Sequence, residues 1–141
     1  MIRLAIFKQA PVRIPRKQIK KLFEKIAGRE SPKTVRGKIN LIFVKDKQII
    51  DLNRNFRKKD KATDVLSFNI DSSIGQSATI GEIYISIDTA RRQAKEYNVK
   101  LNTELLRLAC HGLLHLFGFD HIKKGDRNRM EAKENYYLNT V

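Results

Sequence analysis

Cysteine is nearly absent from this chain. Cys110 stands alone among 141 residues, so no intramolecular disulfide is available and a disulfide-stapled secreted scaffold is excluded. A reducing compartment is the expected setting. Proline and glycine are also few, at three and seven, and no Pro/Gly/Ser-rich linker, internal repeat or low-complexity stretch divides the chain. No apolar run approaches the roughly 18–20 residues that span a bilayer. The opening segment from Met1 to Phe7 is too short for the apolar region of a secretion signal and reads as a strand. The expectation is a soluble cytoplasmic protein with no membrane association. With 41% hydrophobic and 31% charged residues, residues 1–141 suffice for a single domain with one core.

Negative charge is scarce in the first half. Residues 1–61 hold 19 basic and 5 acidic side chains, an excess equal to the +14 of the whole chain, while residues 62–141 hold ten of each. One end of the sequence therefore carries the positive field. Such a field attracts polyanions at long range, and nucleic acid is the commonest one in a cytoplasm.

Hydrophobic periodicity predicts alternating strands and helices, then helices in succession. Strands are expected over residues 1–7, 39–44, 65–70 and 80–87, the last two joined as an antiparallel hairpin by a polar loop over 71–79. A helix opening at Pro15 runs to Ala27 and stops at Gly28, with Ile19, Leu22, Phe23 and Ile26 on one face. Further helices are expected over 47–56 with Asp46 as N-cap, and over 88–97, 103–117 and 126–137. This order predicts a small mixed sheet covered by helices. The helix from Thr103 is apolar almost all round, as a helix buried within its domain would be, yet His111 and His115 interrupt it.

All three histidines of the chain, His111, His115 and His121, fall within eleven residues. Positions i and i+4 share a helix face, so His111 and His115 can hold one ion from successive turns. Gly118 can end the helix at positive φ and turn the chain so that His121 reaches the third corner. Three imidazoles leave one tetrahedral position for water, the layout of a catalytic zinc. Neutral ligands keep the ion's full charge and can bring the pKa of its water to about 7. Zinc is the first expectation, one ion per chain, and nickel or copper fits the same nitrogen set. The spacing is also that of H-E-x-x-H-x-x-G-x-x-H peptidases, but Gly112 stands where they carry the glutamate base.

The segment from His111 to His121, HGLLHLFGFDH, resembles the H-G-x-L-H-L-x-G-[YF]-D-H signature of the YbeY family of bacterial endoribonucleases, with no position broken. Residues 56–68, FRKKDKATDVLSF, resemble that family's arginine-containing loop and T-[DN]-V-L-S-F strand. Residues 81–86, GEIYIS, match its G-[DE]-I-x-I-[SC] strand, and the blocks occur in the family's order. The resemblance implies a metal-dependent hydrolase, an endoribonuclease acting on single strands in ribosomal RNA maturation. Its implied role lies at the small-subunit RNA 3′ end and in ribosome quality control. It further implies an α+β fold with a central mixed four-stranded sheet covered by helices, zinc on His111, His115 and His121, and a functional role for Arg57. The expected catalytic residues are therefore Arg57 and His115, with Arg57, Lys58, Lys59 and Lys61 contacting RNA. Ribosomal RNA and the small ribosomal subunit are the implied partners, with ribosomal proteins or assembly GTPases as guides.

Other candidates carry less. Asp120 either supports a ligand histidine or caps the turn after the helix. Glu131 and Glu134 read as helix-surface charges, Tyr136 and Tyr137 as packing residues, and Cys110 as an inert core thiol. No general base stands out. Two other readings compete with the ribonuclease: a metallopeptidase lacking the usual glutamate, and a non-catalytic metal-containing RNA-binding factor of ribosome assembly.

Overall fold

The computed structural model describes residues 2–32, 34–70, 78–119 and 124–141. Along the chain run β1 (Ile2–Lys8), α1 (Arg16–Glu30), β2 (Gly37–Val44), α2 (Asp46–Arg57), β3 (Val65–Asn69) and β4 (Thr79–Ser86). Three helices follow: α3 (Ile87–Glu96), α4 (Leu101–Leu116) and α5 (Lys124–Leu138). The four strands form one mixed sheet in the order β1-β2-β4-β3. β1, β2 and β4 are parallel, and β3 runs antiparallel to β4, pairing Val65 with Ile85 and Asn69 with Gly81. The expected α+β architecture and antiparallel β3/β4 pairing are both present; most of the loop between those strands, residues 71–77, lies outside the described residues. Among the described residues, no helix is long and apolar enough to cross a membrane.

Strand alternation sends side chains to two unequal cores. Ile39, Leu41, Phe43, Ile83 and Ile85 meet α1 and α4 in the larger one. Ile42, Val44 and Leu66 meet Ile49 of α2 in a smaller one on the opposite face. The apolar α4 is buried against the sheet as its composition predicts, with Leu105, Ala109, Cys110 and Leu114 fully covered. Its one buried charge, Glu104, is satisfied by two hydrogen bonds from Arg107 at 2.7 Å each and one from Gln93 at 2.5 Å.

Two helix boundaries depart from expectation. Helix α1 passes through Gly28 and ends at Glu30, because a surface glycine only weakens a helix by about 1 kcal/mol. The true stop is Pro32, which drives Ser31 to extended backbone at φ −85°, ψ 135°. The extra turn lets Glu30 accept hydrogen bonds from Lys133 and Tyr137, tying α1 to α5. In α2, Lys45 occupies the N-cap position and Asp46 lies inside the helix. The Asp46 carboxylate instead accepts from Ser86 Oγ at 2.5 Å, Thr89 Oγ1 at 2.7 Å and Arg92 at 2.8 Å, at the start of α3.

Burial alone would raise the Asp46 pKa, but the hydrogen bonds from Ser86, Thr89 and Arg92 outweigh it and hold the carboxyl below its usual range. A lowered folded pKa stabilises the protein fully above the unfolded carboxyl's range and loses that contribution as pH falls through the folded value. Asp46→Asn is expected to lower stability by about 1–2 kcal/mol at neutral pH. It should also flatten the decline below about pH 4. Thermal melts of both proteins from pH 7 down to pH 2 test this, and parallel curves would rule out an acid-labile role for Asp46.

Candidate functional site

Helix α4 presents His111 and His115 one turn apart, as an i, i+4 pair must lie. Their ring centroids are 4.8 Å apart with planes at 65°. His111 has a partner that its own helix does not supply: Glu134 Oε1 of α5 lies 2.6 Å from His111 Nδ1. A carboxylate only accepts, so Nδ1 donates, and Nε2 is the nitrogen that could bind an ion. Glu134 is 14% exposed, which corrects its reading as a helix-surface charge. Sequence offered little warning, because the two residues are 23 apart and α5 shows no clear apolar stripe to say which side faces inward.

After α4, Gly118 adopts φ +99°, the left-handed turn that a glycine was expected to supply here, and its N–H bonds His115 O at 3.0 Å. Asp120 and His121 lie outside the described residues. Among the described residues no three His, Cys, Asp or Glu side chains form a ligand set. The donor chemistry at the pair nonetheless fits a divalent ion: two imidazoles on one face, one of them oriented by a carboxylate.

Gly112 lies on the side of α4 that meets the sheet. A Cβ there would approach Ile83 Cγ2 at 2.6 Å and Ser67 Oγ at 3.1 Å, while Ser67 Oγ donates to Gly112 O at 3.0 Å. Glycine is therefore what lets α4 sit this close to β3 and β4. The position that holds the base in H-E-x-x-H peptidases has no room for a glutamate side chain without displacing Ile83, which weakens the peptidase alternative on geometry as well as on composition.

The histidine pair opens into a cleft of about 390 Å³ along the free edge of β3. Its walls include Arg57 from the last turn of α2, Lys59 and Lys61 from the segment after it, Val65 and Ser67 from β3, and His111 and His115. Lys58, expected with these cations, is exposed but does not line the cleft. It takes left-handed backbone, φ 56°, and turns the chain out of α2. The turn is gripped by one residue: Asn53 O accepts from Lys59 N at 3.2 Å, and Asn53 Nδ2 donates to Lys61 O at 3.0 Å. Asn53 is 2% exposed and was not singled out in the sequence. A polar residue on the inward side of a short helix is the available signal.

Register fixes what the β3 edge offers. Asp64 O and Ile70 N bond toward β4, so the main-chain groups of Val65, Ser67 and Asn69 point to the free edge. Among the described residues Asp64 is the one carboxylate lining the cleft, and it is already engaged, accepting from Val65 N at 2.8 Å and from Gln93 at 3.3 Å. Cys110, beside His111, is fully buried, and burial together with the Glu134 charge pushes its thiol up to about 12. It is buried, as a core thiol was expected to be. Tyr137 is 1% exposed and packs in the core, while Tyr136 is half exposed against Arg29. A larger cavity of about 740 Å³ lies between β1 and α1, but it is mainly apolar and holds none of the histidines.

Comparison with known proteins gives the same direction as this geometry. An endoribonuclease YbeY from Oceanobacillus iheyensis is 39% identical over 129 residues, covering 85% of this chain and 83% of the relative. One from Aquifex aeolicus is 42% identical over 104 residues, covering 73% and 69%. One from Myxococcus xanthus is 48% identical over 103 residues, and there the match spans 71% of this chain but 35% of the relative's length. The solution structure of TM1509 from Thermotoga maritima superposes with a TM-score of 0.64 at 30% identity, over 99% of this chain and 87% of that one. Residues 5–141 match the family profile described as endoribonuclease YbeY, and the chain belongs to that family.

Proposed function

We propose that residues 1–141 form one cytoplasmic domain acting as a single-strand-specific, zinc-dependent endoribonuclease in ribosomal RNA processing. Its substrate is the small-subunit RNA near the 3′ end, with ribosome quality control as the wider task and ribosomal proteins or assembly GTPases as guides. The observation that carries this reading is the single cleft in which a carboxylate-oriented histidine pair faces Arg57, Lys59 and Lys61. Curated relatives bearing the name endoribonuclease support it.

His111 and His115, with His121, would hold the ion. When bound, such an ion supplies Lewis acidity toward the phosphodiester. The chain's own groups do the remaining work. Glu134 holds Nδ1 of His111 and fixes its orientation. Arg57 donates hydrogen bonds to nonbridging phosphoryl oxygens and stabilises charge that grows on them in the transition state. Lys59 and Lys61 hold flanking phosphates, which sets the strand's path without reading its sequence. Asn53 keeps Lys59 and Lys61 at the cleft by clasping the turn after α2.

The test is cleavage of a ribosomal RNA fragment spanning the small-subunit 3′ end by metal-loaded, chelator-stripped and zinc-reloaded protein. Cleavage by the loaded and reloaded samples alone is expected. Equal cleavage in all three would overturn metal dependence. Tight RNA binding with no cleavage in any sample would replace the nuclease with a non-catalytic assembly factor.

A further inference from the structure

The aromatic side chain next to Arg57 has no place in the account so far. On α2 the inward stripe is Ile49, Leu52, Asn53 and Phe56, at i, i+3, i+4 and i+7. Ile49 is fully buried and Asn53 nearly so, but Phe56 is 68% exposed, the most exposed of the large apolar side chains among the described residues. Cover runs out at that end of the helix. Phe56 meets only the rim of the smaller core, where Phe68 lies 5.4 Å away at 59° and Tyr84 backs Phe68 at 6.0 Å. The row holds the Phe56 ring in place while leaving most of its surface in water.

The position is electrostatically specific. The Arg57 guanidinium lies 6.0 Å over the Phe68 ring and also lines the cleft, so one residue joins the aromatic row to the histidine site. Lys58, exposed and outside the cleft lining, is the next residue along. An open aromatic ring flanked by cations is the combination that proteins use to bind single-stranded nucleic acid, stacking a base while neighbouring phosphates meet the charges.

We propose that Phe56 is a nucleobase platform beside the cleft-lining Arg57: an unpaired base stacks on its open ring, and the phosphates on either side of that nucleotide are held by Arg57 and Lys58. The proposal rests on the ribonuclease reading and adds a physical source for single-strand preference, because a base inside a duplex has no free face to offer. It also gives Lys58 a task away from the cleft.

The probe is a single-stranded RNA carrying 2-aminopurine at successive positions, titrated with the whole chain in chelator so that the strand stays intact. Fluorescence quenching is expected at one position with wild type and with Phe56→Tyr, which keeps a ring. Phe56→Leu is expected to lose that quenching and to bind about 10-fold more weakly. An abasic nucleotide at the same position should weaken wild type by a similar factor and leave Phe56→Leu unchanged. Because Phe56 is mostly exposed, the leucine variant should melt like wild type. Unchanged Kd and quenching in Phe56→Leu would overturn the platform and assign the exposed ring to a protein contact, with the nuclease reading intact so long as wild type cleaves. Failure of wild type itself to bind and to cleave RNA would overturn the ribonuclease reading and the platform together.

Discussion

Replacing His115 with alanine is expected to abolish stoichiometric binding of a divalent ion and to reduce RNA cleavage to background. The residue lies at the cleft, one turn from His111, and it is one of only three histidines in the chain. Removing one of three leaves a site that cannot hold an ion against bulk water. Glu134→Gln provides a graded counterpart. A glutamine can still accept from Nδ1 but without charge, so ion affinity should fall by about 10- to 100-fold, the usual cost of disturbing a group that orients a ligand histidine. Calorimetric titration of zinc into stripped protein reads both effects without any reliance on activity. Circular dichroism and a melt establish that each variant is folded. A His115→Ala protein that holds zinc as tightly as wild type would remove His115 from the ligand set. A Glu134→Gln protein with wild-type affinity would reduce the His111 contact to packing.

These two residues also show where reading a sequence succeeds and where it stops. His115 was legible because helical periodicity is local: a residue four positions on returns to the same face whatever surrounds it. The burial of α4 was legible for a similar reason, since a helix with no polar face has one place to go. The strand order was not legible beyond one pairing: the polar connection over residues 71–79 favoured an antiparallel β3/β4 hairpin despite its length. Glu134 was not legible. Its partner is on another helix, and α5 carries charge on all sides, so its inward face is decided by where Glu30 anchors Tyr137 and Lys133. Asp46 failed for a different reason. An aspartate before a helix is a common N-cap, but three donors from the start of α3 compete for its oxygens and win. Asn53 and Phe56 lie on one stripe of one helix and end up with opposite exposure, which depends on how far the sheet extends beneath them. Local chemistry was readable, and contacts between distant elements were not.

The second large effect is expected at Arg57. Its guanidinium has the geometry to donate two parallel hydrogen bonds to a phosphoryl group, and the cleft-lining carboxylate Asp64 is bonded to Val65 and Gln93 instead of to it. Loss of a donor aimed at developing charge commonly costs 10²- to 10³-fold in rate. Arg57→Ala is therefore expected to lower kcat for RNA cleavage by about two to three orders of magnitude, with zinc affinity unchanged, because the guanidinium lies over the Phe68 ring and is not a metal-binding group. Arg57→Lys should recover only part of that loss, since an ammonium keeps the charge but not the paired donors. Lys59→Ala and Lys61→Ala form the contrast. They should raise KM and lessen the salt dependence of binding, leaving kcat near wild type, as expected of groups that hold phosphates equally in the ground and transition states. The split between kcat and KM is what separates the roles. Should Arg57→Ala change KM alone, by an amount like that of the lysine variants, Arg57 would join them as a binding residue, and the charge developing at the phosphodiester would have to be met by the ion and its histidines.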